Sequence, residues 1–371
     1  MDMRLVAIFG TGRNGSTLLA RLLDGIPGCY VHPAEVSFLS AMDALRRLPI
    51  VPRRVHNNST SASLSLPASI STRRLLRYYR GQILEIEQEY SRNIVENRRV
   101  GKDPIAVLRL QTRYSPTDFV PAYLLSAGRW LEGVDGFDVS VFKTIETPYV
   151  PDYETAFPSM GFVHIIRDPV KTWASLKRTL MVSRQRPASW LGLDNLITFL
   201  EHRWIPHAKT ILARKDDPRH ALVRYEDLVR QPEETISNLC GRLHLPLPAE
   251  PTIQTLLGGR HFLKMQMNPS QKGVPAPAQV TQDMESLFGY TEVVTDREHA
   301  LIRLRTRELG EQLGYQGDEK YTSGFDIRAA WSVFDEWDRM NVRGPHGHVR
   351  KLINTLVKRH YVRTHTRHPS S

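Results

Sequence analysis

One short segment near the amino terminus, FGTGRNGSTLL (residues 9–19), restricts the fold more than any other part of this 371-residue chain. It follows the apolar run Arg4–Phe9 and precedes leucines at positions 18, 19, 22 and 23, which have the spacing of a buried helix face. A glycine loop between a strand and a helix presents backbone N–H groups and the positive end of the helix dipole to an anion. The segment therefore predicts an α/β fold whose first loop binds an anion.

The loop differs at one position from the phosphate-binding pattern G-x-x-x-x-G-K-S/T. Gly10, Gly15 and Thr17 fit this pattern, but Ser16 replaces the lysine that contacts the β- and γ-phosphates of a nucleoside triphosphate. Arg13, Ser16 and Thr17 add side-chain donors to the loop. The missing lysine disfavours an ordinary ATPase or GTPase, and a glycine-rich turn without a ligand is the structural alternative.

Apolar segments alternate with helical patterns along the rest of the chain. Strands are predicted at residues 29–32, 139–143, 162–166 and 221–225. Helices are predicted from about Glu35, and at residues 72–97, 169–181, 193–214, 231–243, 295–314 and 327–340. This alternation is typical of a three-layer α/β fold, in which helices cover both faces of a mostly parallel sheet.

Composition excludes several classes of protein. Hydrophobic residues make up 41% of the chain, which is enough for a large core, and no apolar run reaches the length of about 18 residues that a transmembrane helix needs. The amino terminus does not resemble a signal peptide, so we expect a cytoplasmic protein. The two cysteines, Cys29 and Cys240, are too few for a disulfide framework or a zinc site, and no metal site is predicted.

The net charge of +11 implies an anionic partner, but the charge is unevenly distributed. From Val342 onwards there are seven lysines and arginines and no acidic residue. The remaining core is mildly basic, which suits an anionic cofactor, and no nucleic-acid partner is expected because no binding motif for one is present. The tail at 342–371 has the spacing of an amphipathic helix that contacts an anionic membrane surface weakly, binds an acidic acceptor or docks on its own domain.

A second candidate site lies in FVHIIRDPVKTWASL, residues 162–176. Asp168 and Pro169 fit the cap and the first position of a helix. Arg167 and Ser175 stand eight residues apart across the strand-to-helix junction, where both can face the carboxyl edge of the sheet. This edge is the usual ligand position in open α/β folds, although Arg167 alone is equally typical of a surface cation.

Three motifs together resemble the sulfotransferases that use 3′-phosphoadenosine 5′-phosphosulfate (PAPS). They are the G-R-x-G-S-T loop, the R-D-P strand end with a serine eight residues beyond its arginine, and VRYEDLVRQPEE at residues 223–234. The resemblance covers about residues 5–245 and implies a P-loop-like nucleotide-binding fold. It also implies sulfuryl transfer from PAPS to a hydroxyl or amine, with 3′-phosphoadenosine 5′-phosphate (PAP) as the product. Since such transfer involves neither a γ-phosphate nor bound magnesium, the P-loop lysine is dispensable.

The resemblance also implies which residues bind PAPS. The 5′-phosphosulfate would be held by the loop residues Gly12, Arg13, Asn14, Gly15, Ser16 and Thr17. The 3′-phosphate would be held by Arg167 and Ser175. Tyr225 would lie near the adenine and ribose, with a core aromatic as the alternative. Lys272 and Gly273 match part of the Arg-Lys-Gly segment that closes over the 3′-phosphate in cytosolic sulfotransferases, but Gln271 replaces its arginine.

The family resemblance leaves two candidates for the catalytic base. In FKTIET, residues 142–147, Ile145 occupies the place of the histidine that cytosolic sulfotransferases use. Tyrosylprotein and heparan-type sulfotransferases use a glutamate instead, and Glu35 in YVHPAEVSFL has roughly that position. Glu35 is therefore the leading candidate, unless it only stabilises a first helical turn, and His32 is the second. Lys143 and Arg13 would stabilise the departing phosphate oxygen.

Two other functions stay open at this point. A P-loop small-molecule kinase would need magnesium, a triphosphate and Asp168 as a metal ligand. An anion- or glycan-binding module would keep the loop without the chemistry. The acceptor stays open among a small molecule, a glycan and a peptide. We expect one domain over residues 1–341, with a PAPS-binding core at about 4–245 and a helical part at 250–341, followed by the tail.

Overall fold

The computed structural model describes residues 3–42, 70–91, 113–133, 136–184, 193–255, 258, 279–280 and 291–315. Lys272, Gly273, the predicted helix at 327–340 and the basic tail lie outside the described residues. The predictions for these segments therefore stay predictions.

Five parallel strands form the central sheet. The strands of the described residues are β1 (Arg4–Phe9), β2 (Cys29–Glu35), β3 (Ile70–Ser71), β4 (Arg113–Tyr114), β5 (Val139–Thr144), β6 (Gly161–Ile166) and β7 (His220–Arg224). The sheet order is β2–β5–β1–β6–β7, and every neighbouring pair is parallel. The short strands β3 and β4 form a separate antiparallel pair.

Helices connect the strands of the sheet. They are α1 (Ser16–Leu23), α2 (Thr72–Ser91), α3 (Pro116–Glu132), α4 (Val150–Ala156), α5 (Pro169–Arg184), α6 (Leu193–Phe199), α7 (Ile205–Ala213), α8 (Tyr225–Arg230), α9 (Pro232–Arg242) and α10 (Asp296–Gln312). A π-helical turn, Leu200–Trp204, joins α6 to α7. Among the helices in the described part of the chain, none has an apolar stretch long enough to cross a lipid bilayer.

Side chains alternate between the two faces of the sheet and build a core on each. In β1, Val6 and Ile8 pack with residues of α1, α8 and α9, whereas Ala7 and Phe9 pack with residues of α2 and α3. A third cluster joins α5, α6, α7 and α10 beside the end of β6. The predicted three-layer, mostly parallel α/β fold is therefore confirmed. Cys29 and Cys240 are both buried free thiols.

One predicted boundary is wrong. Strand β2 continues through Glu35, and the helix expected to begin there begins only at residue 39. The sheet itself accounts for the difference, because Glu35 is paired in register with Lys143 and the N–H of Val36 donates to the Lys143 carbonyl at 3.0 Å. The register shifts between Val31 and Glu35, around Pro33, which has no N–H to donate to a ladder.

The carboxyl ends of β5, β1 and β6 meet at one edge of the sheet. The chain leaves β1 through α1 toward β2 on one side, while β6 lies on the other side of β1. Ligands bind at such a reversal in open α/β sheets. The glycine loop follows β1, Lys143 lies near the end of β5 and Arg167 follows β6, so this edge brings the predicted groups near one another.

Candidate active site

The glycine loop has three residues in the left-handed region of backbone conformation. Gly12, Arg13 and Gly15 all have positive φ angles, of +76°, +64° and +96°. Glycine adopts this left-handed conformation freely, whereas an arginine there costs about 1–3 kcal/mol, and such strain is found most often at functional sites. A Cβ atom on Gly15 would lie 2.3 Å from the Tyr225 ring, so only glycine fits at this position.

Asn14 anchors the loop to the sheet. Its side chain is fully buried, and Nδ2 donates to the carbonyl oxygen of Ile165 in β6 at 2.5 Å. Its Oδ1 accepts from the backbone N–H of Ser16 at 3.4 Å. His207 of α7 contacts the same Ile165 carbonyl through Nε2 at 3.1 Å. The loop is thereby joined to both a strand and a helix of the core.

Lys143 lies beside the start of α1, next to the glycine loop. Its Nζ donates to Oγ1 of Thr17 at 3.1 Å, and only 5% of the residue is exposed. The backbone supports this contact, because the N–H of Gly10 donates to the carbonyl of Thr144 at 3.2 Å. A buried ammonium group and an exposed hydroxyl thus flank the start of α1.

Glu35 lies at the same edge of the sheet. It is the last residue of β2, it is exposed, and it is the ladder partner of Lys143. An exposed carboxylate next to a buried cation is accessible to an acceptor molecule, which is the first requirement for a general base.

His32, the second candidate base, is placed differently. The residue is fully buried, its Nδ1 lies 2.7 Å from the Tyr30 hydroxyl, and its ring packs against Tyr30 and Tyr123. Burial, and then the charge of Lys143, lower the pKa of His32 to about 3. The imidazole is therefore neutral at physiological pH, weakly basic and enclosed by aromatic side chains.

Arg13 and Ser175, which are predicted for opposite ends of the donor, contact each other. Nε and Nη2 of Arg13 lie 3.4 and 3.3 Å from the Ser175 hydroxyl. Arg167 is 3% exposed, and its guanidinium carbon lies 4.2 Å from the centre of the Tyr225 ring. Tyr225 is itself buried between Arg167 and Gly15, so its packing agrees with the alternative reading of a core aromatic.

The R-D-P junction is held by contacts within the protein. Oδ1 of Asp168 caps α5 by accepting from the N–H groups of Val170 and Lys171, at 2.9 and 3.0 Å, which confirms the predicted cap. Oδ2 of Asp168 pairs with Arg303 of α10 at 2.7 Å. Both carboxylate oxygens are thus engaged, and the described residues contain no group of three or more histidine, cysteine or acidic side chains that could bind a metal.

A buried glutamate, Glu226, also stabilises this junction. Oε1 of Glu226 accepts from the N–H of Asp168 at 3.0 Å, and Oε2 accepts from the Tyr315 hydroxyl at 3.1 Å. Burial raises the pKa of Glu226. Because Glu226 follows Tyr225 directly, the segment after β7 positions both the R-D-P junction and the ring beneath Arg167.

A second buried glutamate, Glu146, fixes the segment that follows Glu35. Its carboxylate accepts from the backbone N–H groups of Phe38, Leu39 and Ser40, at 3.0, 3.4 and 2.6 Å. The Tyr153 hydroxyl donates to the same carboxylate at 2.5 Å. Burial raises the pKa of Glu146, and these hydrogen bonds oppose that shift.

Arg203 lies near the glycine loop, a position that the sequence did not reveal. It lies in the π-helical turn Leu200–Trp204, and a Cβ atom built on Gly12 would lie 3.7 Å from its Nη1 atom. Burial lowers the pKa of Arg203, and the charge of Glu35 opposes that shift. In the sequence this position is one polar residue in a long predicted helix, so no local signal marks it.

One comparison with known proteins identifies a family. Residues 6–249, about two thirds of the chain, match the model described as the sulfotransferase family. The chain matches no curated protein sequence.

Several solved structures resemble this fold at low sequence identity. The sulfotransferase domain of the olefin synthase of Synechococcus PCC 7002 is 19% identical, with a TM-score of 0.46 over 85% of this chain and 98% of that domain. A sulfotransferase domain from the curacin biosynthetic pathway is 16% identical, with a TM-score of 0.47 over the same shares. A sulfotransferase of Mycobacterium avium is 15% identical, with a TM-score of 0.40 over 84% of this chain and 77% of that protein.

Proposed function

The chain belongs to the sulfotransferase family, and from this premise we propose that it transfers a sulfuryl group from PAPS to a hydroxyl or amine of an acceptor. The observation that supports the proposal is that two predicted anion-binding motifs meet at one edge of the sheet. The glycine loop supplies Arg13, and the R-D-P helix supplies Ser175, which lies in contact with it.

The donor groups at this edge fit PAPS chemically. Guanidinium, ammonium, hydroxyl and backbone N–H groups all bind phosphate and sulfate oxygens. The loop residues with Thr17 and Lys143 would hold the 5′ end, and Arg167 with Ser175 would hold the 3′-phosphate. A metal-dependent alternative would require Asp168, whose carboxylate is already shared between the α5 cap and Arg303.

Each residue of the site has a defined chemical role in this proposal. PAPS, when bound, supplies the sulfuryl group that the acceptor receives. Glu35 accepts the proton that the acceptor hydroxyl or amine loses. Lys143 and Arg13 place positive charge where negative charge accumulates on the leaving phosphate oxygen.

Glu35 is favoured over His32 as the base on physical grounds. A base must be able to reach the acceptor in order to take up its proton. Glu35 is exposed at the site, whereas His32 is fully buried and has a pKa of about 3. His32 then serves as a packing residue between Tyr30 and Tyr123.

Transfer of labelled sulfate from PAPS to a panel of small-molecule, glycan and peptide acceptors tests the proposed function. The proposal expects a labelled product with at least one acceptor, formed equally well when EDTA removes divalent metals. A parallel panel with labelled ATP and magnesium tests the kinase alternative. Phosphate transfer without sulfate transfer would contradict the proposal, and binding of PAP without any transfer would favour a non-catalytic anion-binding module.

A further inference from the structure

Arg203 lies close to both the loop that would hold the 5′-phosphate and the proposed base. On one side, its Nη1 atom is 3.7 Å from the position of a Cβ atom on Gly12. On the other side, the carboxylate of Glu35 acts electrostatically on its guanidinium. The side chain is half-buried, so it is partly withdrawn from water without being enclosed in the core.

The turn that carries Arg203 is held in place on two sides. The Trp204 indole is fully buried, and its Nε1 donates to the carbonyl oxygen of Arg167 at 3.0 Å. Glu201, two residues before Arg203, forms an ion pair with Arg305 of α10. A π-helical turn contains one more residue than an α-helical turn and occurs frequently at functional sites. Arg203 is therefore presented to the site edge by a fixed and irregular element.

In-line transfer restricts what can occupy the space beside Arg203. The transferred group must lie between the 5′-phosphate, held by the loop, and the acceptor, which is next to the base. Arg203 lies near both the glycine loop and Glu35. A guanidinium presents several N–H donors in a planar fork that suits the oxygens of a sulfate-like group.

We propose that Arg203 binds the oxygens of the sulfuryl group that is transferred, a role that rests on the proposed use of PAPS. Arg13 and Lys143 act on the 5′-phosphate side, and Arg203 acts on the sulfur side. The charge of Glu35 attracts the Arg203 guanidinium.

The difference in affinity between PAP and PAPS reports on the proposed contact of Arg203 with the sulfuryl oxygens. PAP contains the same nucleotide and lacks the sulfuryl group. Calorimetric titration of both nucleotides into wild-type protein, Arg203→Gln and Arg203→Lys measures it without any turnover. Arg203→Gln should weaken PAPS binding by about 10- to 100-fold, the range for loss of a hydrogen bond to a charged group, and leave PAP binding within about twofold of wild type. Arg203→Lys should give an intermediate loss for PAPS, since charge remains and the fork is lost.

His202→Ala is the matched control, because His202 is exposed on the same π-helical turn and its removal should change neither affinity. If Arg203→Gln loses the same affinity for PAP as for PAPS, the proposal is overturned and Arg203 binds the phosphate instead. Unchanged binding of both nucleotides would also overturn it. If wild-type protein binds neither nucleotide, the proposed function fails first and this role falls with it. Circular dichroism of each variant verifies folding, and Arg203→Lys keeps the test informative if Arg203→Gln does not fold.

Discussion

The position of Glu35 depends on residues of two neighbouring strands. Pro33 lies within the irregular part of β2, where the ladder shifts so that Glu35 becomes the partner of Lys143. Bulges of this kind redirect side chains next to active sites. Glu35 is thereby exposed at the end of the sheet, where its ladder partner Lys143 is buried.

Glu35→Gln removes the proposed base and keeps the size of the side chain. Turnover with PAPS should fall by about 10²–10⁴-fold, while the affinity for PAP stays nearly unchanged, because the amide cannot accept the acceptor proton. Steady-state kinetics and calorimetry give the two quantities. Glu233→Gln is the control, since Glu233 is exposed on α9. Wild-type turnover in Glu35→Gln would remove Glu35 from the mechanism.

Residues with local roles could be predicted from the sequence, and residues with tertiary roles could not. Gly12 and Gly15 follow from the demands of a strand-to-helix turn, and Asp168 follows from helix capping. Arg203 and Glu226 depend on packing between elements that are far apart in sequence. Arg203 additionally needs a π-helical turn, which hydrophobic periodicity does not report.

The buried carboxylate of Glu146 holds residues 38–40, just after β2. Glu146 accepts hydrogen bonds from three consecutive backbone N–H groups after β2 and from the Tyr153 hydroxyl of α4. It lies just beyond β5, so it ties the segment after Glu35 to the strand that carries Lys143. This connection explains why the predicted helix start at Glu35 was wrong. The chain first completes its strand, and the N–H groups that then begin the helix are satisfied by Glu146.

Glu146→Ala should destabilise the protein by about 3 kcal/mol or more, because it leaves several buried donors without an acceptor. Tyr153→Phe removes one donor and keeps the carboxylate, so its cost should be smaller, about 1–2 kcal/mol. Urea unfolding followed by circular dichroism measures both free energies. A loss for Glu146→Ala no greater than that for Tyr153→Phe would show that the backbone contacts of Glu146 contribute little.

At the scale of the whole molecule, a buried cluster of three histidines links the central sheet to helix α7. Nε2 of His164 lies 2.9 Å from Nδ1 of His220 across strands β6 and β7, with stacked rings. The ring centre of His207, in α7, lies 5.5 Å from that of His164. Burial lowers the pKa of His207 and of His220 to about 4, and it lowers the pKa of His164 well below its usual range.

These pKa values make the stability of the fold sensitive to acid. In the unfolded chain each histidine binds a proton near pH 6.5, whereas in the folded chain His207 and His220 bind one only near pH 4. The unfolded state therefore holds more protons than the folded state between these pH values. The free energy of unfolding therefore keeps its full histidine contribution above about pH 6.5. As the pH falls toward 4, it decreases by up to about 1.4 kcal/mol per pH unit for each histidine.

His207→Gln keeps a side-chain donor for the Ile165 carbonyl and removes one titrating group. The free energy of unfolding, measured in urea between pH 7.5 and 5, should fall less steeply in this variant than in wild-type protein. His202→Gln, at an exposed position, should retain the wild-type slope. Equal slopes for His207→Gln and wild type would exclude His207 as a contributor to acid sensitivity.

The most direct test of the central claim, that this sheet edge binds PAPS, is the affinity of the protein for PAP. Calorimetry with wild-type protein should show PAP binding without magnesium and no comparable binding of ATP with magnesium. Arg167→Ala should weaken PAP binding by about 1.5–3 kcal/mol, the range for a hydrogen bond to a charged group. Arg167→Lys keeps the charge in case the alanine variant does not fold, and Arg307→Ala, at an exposed ion pair of α10, serves as the control. PAP affinity unchanged in both Arg167 variants, or preferential binding of ATP with magnesium by wild-type protein, would contradict the claim.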